Sequence, residues 1–385
     1  LMAAGGAGVA SVREVIGLAD DDRSLTGLLL DDLRGEPMDV APIAPESPAI
    51  LGFTSGTTGR PKCAPLSHRN LLASIRGVMW AWRWTEAEHL VHSLPISHQH
   101  GLGGIHATLL AGSRATVFER FDAESILATI EQGATAMFAV PSIHESLLRD
   151  LGDRASGLGR LRVATSGSAP LPADLALRVE QITGQLPLER YGSTEAGLDI
   201  SNPLLGRRIS GTVGLALPGV EAAMVDDAGD PVPPGEPGEI LIRGPQVFSG
   251  YRGIEPADTF LFDWFRTGDI GIVDPETGYL SIVGRSKELI ISGGMNVYPR
   301  EVEAVLRTGP GVEDAAVIGF PSQRWGEEVV AFVAPAVAPV GLIAELAAGA
   351  LAPYKRPKRI LAVDVIPRTS TGKVNTTALL KMASG

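Results

Sequence analysis

The chain has 385 residues, 44% of them hydrophobic, enough for two or three domains with sizeable cores. Its formal net charge of −11 argues against a nucleic-acid surface as the main partner. Its one cysteine, Cys63, excludes an intramolecular disulfide and a cysteine-based zinc site and fits a reducing compartment such as the cytoplasm.

The chain opens Leu-Met-Ala-Ala-Gly-Gly and soon enters Val12 to Leu18, a strand-like run. That reads as mid-domain sequence, so a missing N-terminal segment is expected; the basic region of a signal peptide is absent. No apolar run of about 18 residues predicts a membrane span. Ala49 to Phe53 reads as a buried strand and His68 to Val78 as a helix. Between them stand Thr54, Ser55, Gly56, Thr57, Thr58, Gly59, Arg60, Pro61 and Lys62. Hydroxyls and backbone N–H groups gathered with two glycines suit a phosphate, and Lys62 adds positive charge. Strand, Gly-rich loop and helix predict an anion site. It is not a Walker A loop, because Gly59 is followed by Arg-Pro-Lys.

Ser93 to Gly101 brings His98 and His100 close together. A zinc site built from His98, His100 and His106 would lack a fourth ligand. Strands at 136–140 and 161–165 alternate with helices at 143–150 and 172–184, the pattern of layered α/β sheets. Ser166-Gly167-Ser168-Ala169 follows a strand, and its small residues leave a slot for a planar ring. Tyr191-Gly192-Ser193-Thr194-Glu195 supplies an aromatic, hydroxyls and a carboxylate able to hold Mg²⁺ beside phosphate oxygens. Short strands between Gly, Pro and Asp turns predict a small β-rich subdomain over 211–283. Within it Asp269 follows Gly268 and suits the two hydroxyls of a ribose. A boundary is expected at 284–288, which holds Arg285 and Lys287, followed by an α+β domain over 289–385. That domain carries Gly293-Gly294 and, in Pro367 to Lys373, a hydroxyl-rich loop ending in a lysine. Each of these runs alone also suits an ordinary surface turn.

Together, in this order over 54–373, they resemble the core motifs of the adenylate-forming (ANL) superfamily: acyl-CoA synthetases, peptide-synthetase adenylation domains and luciferases. The resemblance implies an α/β fold: a large N-terminal domain of layered sheets (1–283) with its β-rich subdomain, a hinge (284–288) and a small mobile C-terminal domain. Family members carry roughly a hundred further residues before the phosphate loop, whose absence would expose sheet edges and apolar core. By resemblance, Thr54 to Gly59 and Lys62 grip the triphosphate. Ser166, Gly167, Ser168, Ala169 and Tyr191 enclose the adenine, Gly192 and Ser193 also bind the nucleotide, Thr194 touches the α-phosphate and Glu195 holds Mg²⁺. Asp269 takes the ribose with help from Arg285, Lys287 is the hinge, and Gly293-Gly294 line the channel for CoA. Lys373 bridges carboxylate and phosphate during adenylation, with His98 also in the catalytic set.

The implied activity is an AMP-forming acid–CoA ligase using ATP and Mg²⁺, with a carboxylic acid and CoA as its partners and a monomer or homodimer as its state. His98-Gln-His100-Gly-Leu, followed by Ser201-Asn-Pro, Arg208 and Gly211-Thr-Val-Gly, resembles malonyl-CoA and oxalyl-CoA synthetases. That places His98, His100, Ser201 and Arg208 at the acid, with Arg208 receiving a distal carboxylate. The alternatives are a medium-chain fatty or aryl acid, or a truncated nucleotide-binding remnant without catalysis. Cys63 departs from the family's usual glycine and is expected to feel the charge of Lys62.

Overall fold

The computed structural model describes residues 42–55, 61–255, 257, 259–368 and 374–384, together with two short strands nearer the N-terminus. The chain divides into two units, 1–44 and 45–385. In the first, β1 (Ile16–Gly17) pairs in parallel with β2 (Leu28–Leu29).

The second unit begins with a hairpin, which corrects the strand–loop–helix expectation. Antiparallel strands β3 (Pro48–Ser55) and β4 (Pro61–Ser67) form a two-stranded sheet of their own, and residues 56–60 connect them outside the described residues. The expected burial of 49–53 is also corrected. Leu51 and Phe53 are 50% and 67% exposed, whereas Ala64 and Leu66 are fully buried. Strand alternation explains the difference. Phe53 and Cys63 are cross-strand partners on the outer face, and Thr54 and Lys62 are partners on the other. Cys63 therefore faces away from Lys62.

Helix α1 (His68–Ala81) starts with a capping box: Ser67 Oγ accepts from Asn70 N at 3.2 Å, and Asn70 Oδ1 accepts from Ser67 N at 2.9 Å. Then follow β5 (His89–His92), α2 (Gln99–Ala111), β6 (Arg114–Val117), α3 (Ala123–Glu131), β7 (Ala136–Ala139), α4 (Pro141–Leu151) and β8 (Val163–Ser166). Helix α5 (Ala173–Thr183) ends at Gly184, whose φ of 79° is the left-handed cap that glycine adopts without strain. Strands β9 (Leu188–Ser193), β10 (Gly197–Ser201) and β11 (Leu215–Ala216) complete a seven-stranded sheet, ordered β11-β10-β9-β8-β7-β5-β6. From β6 to β9 the pairing is parallel; β9, β10 and β11 are antiparallel. Fully buried strands such as β7 fit a sheet covered on both faces.

The β-rich part is a five-stranded sheet of β12 (Glu221–Val225), β13 (Gly238–Arg243), β14 (Phe260–Leu261), β15 (Trp264–Val273) and β16 (Leu280–Arg285). A 3₁₀ turn, Ser286–Glu288, leads into a second five-stranded sheet of β17 (Ile290–Ser292), β18 (Met295–Val297), β19 (Asp314–Ser322), β20 (Gly326–Ala334) and β21 (Arg359–Ala362). Its strands alternate between two cores. Ala315, Val317, Val329 and Ala331 pack with Val302 and Leu306 of α6 (Pro299–Arg307) and Ile343 of α7 (Val340–Ala350). Ala316, Ile318, Val330 and Phe332 pack instead with Leu379 of α8 (Thr376–Ser384).

Candidate functional site

Strand β9 and the turn into β10 carry most of the site, and the adjoining loops aim side chains at it. The turn is tight. A Cβ on Gly192 would lie 2.0 Å from the carbonyl oxygen of Gly197, so only glycine lets the two strands close here. Thr194 packs into the space left by Gly52, whose Cβ would sit 2.5 Å from Thr194 Cγ2. Ser193 Oγ accepts from Ala196 N at 3.2 Å. Glu195 is the middle residue of the turn, buried at 7% exposure.

Tyr191 donates its hydroxyl to Asp269 Oδ2 at 2.7 Å, and Arg285 Nε pairs with Asp269 Oδ1 at 2.8 Å. The β15–β16 ladder places Asp269 opposite Arg285, and Tyr191, 78 positions before Asp269 and on another sheet, completes the cluster. Burial and the neighbouring Asp269 charge push the Tyr191 hydroxyl well above its usual range, so it stays a donor. Burial works against the Arg285 charge, but Asp269 and Glu288 outweigh it and hold the guanidinium ionised.

Glu195 Oε1 accepts from the Tyr251 hydroxyl at 2.6 Å, and Lys62 Nζ stands 4.8 Å from the centre of the Tyr251 ring. Lys62, Glu195 and Tyr251 thus meet although they come from a hairpin, a strand turn and a loop. The donor set suits Mg²⁺. One carboxylate beside Thr194 leaves room for phosphate oxygens and waters, and no group of three or more metal-binding side chains exists among the described residues to form a closed cage.

Deeper in, His100 Nδ1 lies 3.1 Å from Ser168 Oγ, and its ring tilts against Phe138 at 5.6 Å. Burial, then Arg190 and His92, holds His100 neutral. Arg190 fills the space under Gly167, whose Cβ would meet its Nε at 2.6 Å. Its Nε and Nη2 are buried without a hydrogen-bond partner, as is Nε2 of His100. Asp199 is the extra residue where the β9–β10 register shifts between Leu198 and Ile200; it is 1% exposed and accepts from Gln246 Nε2 at 3.1 Å. Burial pushes its carboxyl up to about 8, while burial lowers Arg190 to about 9.

Other expected residues stand elsewhere. Arg208 donates Nη1 to the carbonyl of Leu186 and Nη2 to that of Leu204 at 3.5 Å. Ser201 accepts from Trp82 Nε1 at 3.0 Å and donates to its neighbour's carbonyl, as a core-packing residue does. It also lines a groove of 1020 Å³ with Trp80, Trp84 and Leu215, to which Tyr191, Glu195 and Asp269 do not contribute. His98 is exposed at the start of α2, where its side chain makes no capping bond. Ala169 and Lys287 are exposed. Gly293 and Gly294, at φ 62° and 79°, turn β17 into β18, and the Trp325 ring lies 3.0 Å from where a Gly293 Cβ would be. Gly56, Thr57, Thr58, Gly59 and Lys373 lie outside the described residues; Thr54 and Ser55 end β3. Sequence reasoning missed Arg190, Asp199 and Tyr251. The charged pair Glu189-Arg190, directly before Tyr191 in the same strand, was the one available signal.

Comparisons with known proteins agree with this arrangement. A family model described as "AMP-binding enzyme" matches residues 5–252, and one described as "AMP-binding enzyme C-terminal domain" matches 301–373. The malonate–CoA ligase ACSF3 of Mus musculus is 37% identical over 86% of this chain. The chain spans 64% of that relative's length. A feruloyl-CoA synthase from Amycolatopsis is 37% identical over 90% of this chain and 72% of itself, and an oxalate–CoA ligase from Arabidopsis thaliana 38% over 86% and 66%. The crystal structure of ATP-bound MatB from Rhodopseudomonas palustris superposes with a TM-score of 0.83 at 40% identity, over 88% of this chain and 69% of that one.

Proposed function

We propose that this chain, which belongs to the AMP-binding enzyme family, activates a carboxylic acid with ATP and passes the acyl group to CoA. The observation that carries the reading is the joined corner of Tyr191, Asp269 and Arg285 beside Glu195 and Lys62. An aromatic ring, a buried carboxylate with lone pairs to spare for two ribose hydroxyls, and opposite charges toward the phosphates together fit a nucleoside triphosphate.

In the first step a carboxylate oxygen of the acid attacks the α-phosphorus, the bond to the β-phosphate oxygen breaks and pyrophosphate leaves. Two anions must approach, so the site has to supply positive charge that is already in place. Lys62 does so, Thr194 donates to the α-phosphate, and Asp269 fixes the ribose so that the phosphorus faces the acid. Mg²⁺ bound at Glu195 would supply further neutralisation of the phosphates. In the second step the CoA sulfur attacks the acyl carbon, the thiol loses its proton and AMP departs.

The acid we propose is a short dicarboxylate, malonate or oxalate. Arg190 with its unpartnered nitrogens supports this, and it replaces Arg208 as the proposed receptor of the distal carboxylate. Thioester formation from ATP, Mg²⁺, CoA and a panel of malonate, oxalate, acetate, octanoate and ferulate tests it. Preference for acetate or octanoate sinks the dicarboxylate reading, preference for ferulate supports the aryl alternative, and absence of ATP–pyrophosphate exchange sinks the activity.

For CoA, the Trp325 ring carries the Arg324 guanidinium at 4.8 Å and Lys358 Nζ at 5.1 Å, and it backs the Gly293 turn. Such a patch suits an adenine with phosphates. Trp325→Ala is expected to raise KM for CoA about tenfold while ATP–pyrophosphate exchange stays within about twofold of wild type. Loss of exchange as well would assign Trp325 to folding rather than to CoA.

A further inference from the structure

The loop around 245–252 touches α1, the β9–β10 turn and the β3–β4 hairpin. Pro245 and Val247 carbonyls accept from Asn70 Nδ2 at 2.9 and 2.7 Å, which ties the loop to α1. Phe248 N donates to the Glu195 carbonyl at 2.9 Å, and Arg252 N donates to the Cys63 carbonyl at 2.9 Å. Glu195 is therefore held by backbone on one side, and the phosphate hairpin on the other. Tyr251 sits between them. Its hydroxyl reaches Glu195 Oε1 at 2.6 Å and its ring faces Lys62 Nζ at 4.8 Å. The ring is fixed edge-on against Phe248 at 4.9 Å.

Resting on the ATP-dependent activity proposed for this chain, we propose that Tyr251 is a positioning residue that holds Glu195 and Lys62 apart and ready for ATP. A buried carboxylate and an ammonium this near each other attract strongly. If they closed into an ion pair, a nucleotide would have to break it before using either charge. Tyr251 gives each charge a partner of its own. The carboxylate receives a charge-assisted hydrogen bond and the ammonium a π face. Neither interaction neutralises the charge, so both remain available to phosphates and to the cation that accompanies them. No ion pair joins Lys62 and Glu195 among the described residues, as this role requires.

The test is calorimetric binding of ATP, with and without Mg²⁺, to the whole chain in the absence of acid and CoA, so that turnover plays no part. Tyr251→Phe keeps the ring and its contact with Phe248 but removes the hydroxyl. It should weaken Mg-ATP about tenfold and leave Mg-free ATP within about twofold. Tyr251→Leu removes the spacer, so both forms should weaken about tenfold. Adding Glu195→Gln to Tyr251→Leu should then restore Mg-free binding, because Lys62 is released. A side chain serving only to fold the loop would not produce that rescue. Unaltered binding in both single variants, or no rescue in the double variant, overturns the inference. Wild-type protein that binds no ATP overturns the functional reading and this inference with it, whereas wild-type binding with unaffected variants overturns this inference alone. If Tyr251→Leu fails to fold, the Mg²⁺-specific loss in Tyr251→Phe decides by itself.

Discussion

Asp269→Ala is expected to lower ATP–pyrophosphate exchange at least roughly 100-fold, because two hydrogen bonds from a ribose to a buried carboxylate are together worth about 3 kcal/mol or more. Three groups depend on that carboxylate. One oxygen accepts from Tyr191 at 2.7 Å, the other pairs with Arg285 at 2.8 Å, and the ribose would use the remaining lone pairs. Truncation leaves the Tyr191 hydroxyl without an acceptor at a cost of about 1–3 kcal/mol. Arg285 loses less, because its side chain is 47% exposed and water replaces the lost partner. The melting temperature should therefore fall by a few degrees while exchange is nearly lost. Asp269→Asn separates the two effects. An amide still accepts from Tyr191, so stability should recover, but it carries no charge for Arg285 and offers the ribose one acceptor oxygen in place of two. Exchange should stay low. Exchange near wild type in Asp269→Asn would remove Asp269 from the ribose.

Much of this corner was legible because its residues lie in short runs with a chemical logic of their own. Tyr191, Thr194 and Glu195 share one run of five residues, and Asp269 follows a glycine whose φ of 70° makes the approach. Their meeting was not legible from local pattern, since contact across 78 residues depends on how two sheets meet. The β3–β4 hairpin was misread for a specific reason. Pro61 and Pro65 lack an N–H, and a strand carrying them reads as a break; in a two-stranded ribbon each can turn its missing donor away from the single partner strand. Arg190 was passed over because a charged residue in a strand ordinarily points to solvent. The gap left by Gly167 and the bulge at Asp199 reverse that, and neither is visible in the β9 sequence. Tyr251 had no signal, since its partner Glu195 is 56 residues away and the connection is a loop.

Arg190→Met is expected to lower kcat/KM for malonate at least about 30-fold while acetate changes little, because truncating one side of a buried charge pair costs about 2–5 kcal/mol. Buried guanidinium nitrogens without partners are unstable unless something supplies acceptors, and Nε and Nη2 of Arg190 are both in that state. A second carboxylate on the acid supplies two acceptors in the matching fork geometry. Arg208 already directs Nη1 and Nη2 to the carbonyls of Leu186 and Leu204. Arg208→Met should therefore lower the melting temperature and leave the malonate-to-acetate ratio unchanged. Asp199 adds a pH dependence with a definite sign. Burial raises its carboxyl to about 8, so at neutral pH it is protonated and leaves the Arg190 charge for the substrate. As pH rises through about 8 it ionises, competes for that charge, and the malonate-to-acetate ratio should fall. In Asp199→Asn the fall should shift upward, to the range near 9 where Arg190 itself gives up its charge. The reverse pattern, with malonate lost in Arg208→Met and kept in Arg190→Met, would return the distal carboxylate to Arg208 and leave the unpartnered nitrogens of Arg190 to water.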